Sequence, residues 1–193
     1  MPWQKSFDSD AALQKAMEAF WARGYEATSM QDLVDCMGLG RGSLYATFGG
    51  KRSLFVQALR RYDERHRRDW TARLAAGAPP REAILAAFAG VIEAALDGDR
   101  RDGCLLVNTA LELAPHDQEI AAIVARGLRE MEGFFADMLI RAQAAGEVPG
   151  HVVPAETAKA LLALLVGLRV FARARPERGL LVGVAAQAEA LIS

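Results

Sequence analysis

Three observations lead this sequence to predict an all-α protein. The 193 residues include 37 alanines against 23 β-branched residues (12 Val, 6 Ile, 5 Thr), and alanine favours helix where β-branching favours strand. Apolar residues recur at helical spacing almost throughout, with no strand-like segment. Glycine, proline and capping residues cut the pattern into about nine helical lengths.

The first helix is expected from near Asp8, where Ser9 and Asp10 suit a helix start, with Leu13, Ala16, Met17 and Phe20 on one face and Gly24 as its stop. Thr28 and Ser29 suit the N-cap of a short second helix facing inward through Met30, Leu33, Val34 and Met37. Gly38-Leu39-Gly40 breaks the chain before a third short helix, Arg41 to Thr47, and Gly49-Gly50 breaks it again. A long fourth helix then runs from about Lys51 to Leu74. Ala76 to Pro80 is the most linker-like stretch. Five more helices follow, with breaks expected at Asp97-Gly98-Asp99, Pro115, Gly146 to Pro154 and Pro176. The helix over 155–175 is apolar nearly all round, which implies burial on more than one side and hence a second subunit.

Composition excludes several classes. With 52% apolar and 24% charged residues the chain is not of disordered type. Residues 1–7 show no signal-peptide core, and charge-free apolar runs such as Ala160 to Leu168 fall well short of the roughly 20 residues a membrane helix needs. A cytoplasmic protein with no membrane partner is therefore expected. Cys36 and Cys104 match no zinc spacing, and His66, His116 and His151 form no metal motif, so no metal site, no cofactor and no catalytic set is expected. The net charge of -1 hides an asymmetry. Residues 1–75 hold 12 Lys+Arg and 9 Asp+Glu, a net +3, and residues 76–193 hold 11 and 15, a net -4. A basic N-terminal unit thus precedes an acidic helical body.

Two short helices joined by a glycine turn, with a helix before them, describe a helix-turn-helix. The second helix has small or polar residues at its start, Arg41, Gly42 and Ser43, and packing residues Leu44 and Phe48. Arg41 suits bidentate contact with guanine, Ser43 a base edge or phosphate, and Gly42 close backbone approach. Ser29 at the start of the supporting helix and Lys51 at the start of the fourth suit phosphates. The stretch Ala12 to Phe55 resembles the DNA-binding domain of TetR/AcrR-type transcriptional repressors. The match is carried by Ala16, Phe20, Gly24-Tyr25, Thr28-Ser29-Met30, Leu33, Gly38-Leu39, Gly42-Ser43-Leu44-Tyr45, Phe48, Lys51 and Leu54. The resemblance implies a phosphate-contacting role for Tyr45 and a groove-reaching one for Gln31. Ala46, Thr47 and Gly49-Gly50 depart from the family pattern, so no operator sequence carries over. Arg60, Arg61, Arg65, Arg67 and Arg68, mixed with Asp63, Glu64 and Asp69, read as a solvated charged face.

The resemblance divides the chain into a three-helix DNA-binding domain, residues 1–52, and an effector-binding and dimerisation domain, residues 53–193. It implies a bacterial, ligand- or redox-responsive homodimer that releases a palindromic double-stranded operator, nucleoid-associated when bound. Leu161, Leu165, Leu168, Leu181, Val184 and Ala188 are the expected dimer seam. Trp70, Phe88, Ile92, Val107, Leu111, Phe134, Phe135, Met138 and Phe171 are expected to line an effector pocket, with Asn108, Glu112 and Arg169 as polar marks, the first two on one helix face, whose role is either structural or ligand-binding. Cys104 is expected at a helix N-terminus beside Arg100 and Arg101, a setting that favours thiolate. The run from Gly103 to Asn108, with Glu112, also looks like a subgroup sensing electrophiles through this cysteine. A sensing thiol and a small buried hydrophobe are both open to Cys104. Competing readings are a helical small-molecule-binding protein and a thiol enzyme, neither binding DNA, and an electrophoretic shift separates them from a regulator.

Overall fold

A computed structural model of the chain describes residues 7–97 and 102–193, and every described element is helical. Helix α1 (Ser9–Arg23) starts where the Asp8 carboxylate accepts from the backbone N–H groups of Asp10 and Ala11, and it buries Ala12, Ala16, Met17 and Phe20. Helix α2 (Met30–Met37) opens on a capping box between Ser29 and Asp32 and ends at Gly38, whose φ of 67° is left-handed. Helix α3 is Arg41–Phe48. The next helical path is continuous: α4 (Lys51–Tyr62), a π-helical stretch (Asp63–Arg68) and α5 (Asp69–Gly77). Then come α6 (Pro80–Asp97), α7 (Leu105–Glu112), α8 (Gln118–Ala144), α9 (Pro154–Ala174) and α10 (Arg178–Ala190). Because α4, the π stretch and α5 form one rod, the described residues make nine rods. Of the expected break at Asp97-Gly98-Asp99, the last two residues lie outside the described residues.

Two apolar clusters hold the rods together. The first joins α1 to α4 through Phe20, Leu33, Leu44, Phe48 and Phe55, and takes in Leu105 and Leu106 of α7 and Ile120 and Val124 of α8. Phe20 and Phe55 meet edge to face, 5.0 Å between centroids. The second joins α6, the later part of α8, α9 and α10. No gap in packing separates residues 1–52 from 53–193, since Leu54, Phe55, Ala58 and Leu59 of α4 belong to the first cluster.

The residues expected at the dimer seam lie inside the single chain. Leu161, Leu165, Leu168, Leu181 and Ala188 are buried within the single chain, and Val184 is half-buried beside them. They form the inward stripes of α9 and α10 against α6 and α8. The opposite faces carry Ala163, Val170, Val182, Gly183 and Ala186, all exposed. The apolar character of these two helices therefore serves two faces, and the larger residues serve the inner one.

The arginine run also departs from a solvated face. Arg61 and Arg67 are 8% and 9% exposed. Arg61 grips Asp10 of α1 with two hydrogen bonds of 2.6 and 2.5 Å. Arg67 holds Asp63, which is 1% exposed, and Glu130 of α8, which also pairs with Arg68 at 3.0 Å. α8 reaches this cluster at Gly127, where a Cβ would stand 2.9 Å from Leu106 Cδ1 and 3.2 Å from Asp63 Oδ1. Gly127→Ala should lower stability by roughly 1–3 kcal/mol, because a packed side chain and a paired carboxylate must both move. Urea unfolding measures it, and an unchanged midpoint would show that this crossing has slack.

Candidate functional site

The α2–turn–α3 unit presents a polar tip. Leu44 and Phe48 anchor α3 in the core, while Arg41 and Gly42 are exposed and Ser43 is half-buried. Arg41 makes no hydrogen bond or ion pair among the described residues. A Cβ on Gly42 would meet nothing within 4 Å, so packing inside the chain does not require glycine there. The helix starts at Gly40 with no side-chain cap, leaving its first N–H groups for an outside acceptor. Tyr45 is 50% exposed, and its ring passes over Gly50, where a Cβ would be 3.1 Å from Cε1.

Three other expected contacts are already engaged. The Ser29 hydroxyl donates to Asp32 Oδ2 at 2.6 Å and accepts from the Asp32 N–H. Ser29, and beyond it Arg23, hold the Asp32 carboxyl below its usual range, so an anion already sits at the start of α2. The Gln31 amide donates to Asp35 at 2.8 Å. The Lys51 ammonium lies 4.3 Å from the centre of the Tyr25 ring.

Behind this unit a cavity of about 720 Å³ opens between α1, the α4–α5 rod, α6 and α9. Tyr62, His66 and Trp70, one every four residues along the rod, give it an aromatic wall, and Trp21 closes one side. The Tyr62 and His66 rings stack at 5.0 Å, and burial pushes the imidazole below its ordinary pKa. A smaller hollow of about 50 Å³ shares Tyr62, His66, Trp70 and Arg169 with it and adds Cys104 and Val107. Cys104 is buried at the N-cap position of α7. Burial pushes the Tyr62 phenol well up, the neighbouring Cys104 sulfur adds to this, and Arg169 opposes it. Arg100 and Arg101, expected beside Cys104, lie outside the described residues.

The remaining expected pocket residues sit elsewhere. Phe88, Phe135 and Met138 are fully buried in the second apolar cluster, where they fill space between α6 and α8. Leu111 is 75% exposed and turned to solvent. Asn108 donates to the Asp102 carbonyl at 2.9 Å and so ties the chain before α7 to that helix. Glu112 points away from the cavity to the segment that joins α1 and α2. Its two oxygens accept from the N–H groups of Glu26 at 2.8 Å and Tyr25 at 3.2 Å. Gly24 makes room, since its φ is 88° and a Cβ there would lie 3.1 Å from the carboxylate. Helix α7 thus has the thiol at one end and this clasp at the other. A second set of contacts runs from Arg52 to Asp117 at 2.7 Å and to Glu119 at 3.0 Å, ahead of and within α8.

Comparison with known proteins assigns the chain to a family. Residues 12–58 match the model of bacterial regulatory proteins of the tetR family, and residues 80–181 match a tetracyclin repressor-like C-terminal domain. The chain belongs to the TetR family. It is 39% identical over 147 residues to the HTH-type transcriptional regulator YezE of Bacillus subtilis (strain 168), covering 76% of each chain. It is 36% identical over 170 residues to the HTH-type transcriptional repressor ComR of Escherichia coli (strain K12), covering 88% of this chain and 81% of that one. A cysteine mutant of the TetR regulator CifR, solved with a 26 bp double-strand operator DNA, superposes with a TM-score of 0.85 at 30% identity, over 99% of this chain and 100% of that one. This is therefore a TetR-type transcriptional regulator, of a family that binds double-stranded DNA as dimers and answers to small molecules. Among the described residues no helix is long and apolar enough to cross a membrane.

The TetR chain's clasp has a direct readout. Glu112→Ala should speed hydrogen exchange at the Tyr25 and Glu26 amides while leaving α6 unchanged, because both donors lose their acceptor. Equal protection in the variant would refute the clasp.

Proposed function

We propose that this chain is a homodimeric repressor that holds a palindromic operator through two copies of α3 and releases it when a small molecule enters the aromatic cavity or Cys104 is modified. The observation that carries this reading is the α7 connection, with Cys104 on the cavity side and Glu112 on the backbone of the DNA-binding unit. Residues 1–52 read DNA with the first half of α4 as their base. One α3 reaches few bases, so selectivity calls for two half-sites about one helical turn, or multiples, apart. The exposed small and apolar residues on the outer faces of α9 and α10 suit a four-helix seam between two copies. A ligand shifts such a dimer only by binding its DNA-free arrangement more tightly, and moving occupancy from 99% to 1% takes about 5.5 kcal/mol of difference.

In an electrophoretic shift with the DNA upstream of its own gene, Arg41→Ala should relax base preference at the contacted position. Lys51→Ala should weaken binding to all sequences and lower the salt slope by about one. If operator selectivity survives Arg41→Ala, the arginine is not the base reader.

Cys104 is tested with N-ethylmaleimide. Its sulfur bonds to one alkene carbon and the neighbouring carbon takes the proton. Wild type should release the operator on treatment, and Cys104→Ser should bind DNA normally yet hold it through treatment. A variant that releases as wild type does would assign the response to another group. Cys36, half-buried on α2 with its thiol pushed up by burial, is the internal control.

A further inference from the structure

We infer that the cavity takes a planar aromatic carboxylate, with Arg169 as the group that receives the charge. This rests on the reading of the cavity as the effector site and adds the chemical class of the effector. The walls argue for a flat body. Tyr62, His66 and Trp70 form one aromatic face, and Trp21 meets the first two edge-on at 4.9 and 5.0 Å. Trp21 is held in that pose by its indole N–H, which donates to the Gly103 carbonyl at 3.1 Å. The volume of about 720 Å³ lies in the range of small-molecule sites.

The charges argue for an anion. Among the described residues Arg65, Arg73 and Arg169 line the cavity, and Asp102 is the one acidic residue there. Burial holds His66 toward its neutral form. Arg65 and Arg73 are exposed at the edge, and Arg65 has a long contact with Asp10 at 3.4 Å. Arg169 is different. It is half-buried on the wall shared by both hollows, with its guanidinium 5.2 Å from the centre of the Trp70 ring. Among the described residues it has neither a hydrogen bond nor an ion pair, although a guanidinium carries five N–H donors. Arg173, one turn further along α9, is by contrast occupied by the Asp102 carbonyl at 2.9 Å. A carboxylate in the cavity meets the fork of Arg169 in the bidentate geometry that guanidinium favours, while its ring lies along Trp70. An ammonium ligand meets three cations among the described lining residues.

The probes are 2-naphthoate, its neutral amide and 2-naphthylmethylammonium, titrated into the full-length protein by calorimetry and tryptophan fluorescence. Naphthoate should bind at least about tenfold tighter than the amide, with the ammonium weakest. Arg169→Gln should erase the preference for naphthoate, Arg169→Lys should keep part of it, and both should bind operator as wild type does. Absence of naphthoate binding, equal binding of acid and amide, or a preference that survives Arg169→Gln would overturn the inference. If naphthoate binds in an Arg169-dependent way and the operator stays bound, the ligand class stands and the effector reading fails.

Discussion

The rest of the architecture depends on how one buried carboxylate is compensated. Asp63 is 1% exposed, and a lone carboxylate at that depth is not tolerated. Arg67 meets it from the next turn, Glu130 meets Arg67 from α8, and Arg68 and Arg126 complete the charge set around them. Removing one member of such a buried set costs about 3–5 kcal/mol because the others remain without partners. That constraint fixes where α8 crosses the α4–α5 rod, and Gly127 lets it cross closely. The cluster lies in the π-helical stretch, which is flanked by Tyr62 and contains His66. Stability and the aromatic wall therefore share one short segment.

What the sequence made legible follows from which interactions are local. Caps and breakers act within a few residues, so Asp8, Ser29, Gly24, Gly38 and Gly49 marked helix ends that the structure places within a residue or two. Helical spacing also shows that α9 has apolar residues on several sides. It does not say which side meets the same chain, and the bulkier stripe of Leu161, Leu165 and Leu168 turned inward because α6 and α8 offer it a large apolar surface. Glu112 was legible as a polar residue needing a reason, but its partners lie 86 and 87 positions away. Trp70 was legible as a pocket residue, but its four-residue register with Tyr62 and His66 was masked by the arginines between them. Those arginines looked solvated because their long-range partners, Asp10 and Glu130, are invisible to local pattern.

Cavity and DNA-binding unit are joined at several points rather than one. Trp21 belongs to α1, lines the cavity and bonds to Gly103, the residue before Cys104. Tyr25 is held through its backbone by Glu112 and through its ring by Lys51. A change around Cys104 therefore has short covalent and hydrogen-bonded routes to both α1 and the start of α4. These contacts give the two sites a shared physical medium through which a coupling between ligand and DNA can run.

Glu112 has one more property. It is the last residue of α7, where the aligned peptide dipoles disfavour a negative charge by some 0.3–1 kcal/mol. The Tyr25 and Glu26 amides offset that penalty only while the DNA-binding unit is docked. Without those two donors the carboxylate would oppose its own helix, and the final turn of α7 would be locally frustrated. The clasp and the winding of that turn therefore support each other, and a helix of eight residues has few turns over which to spread the loss of either.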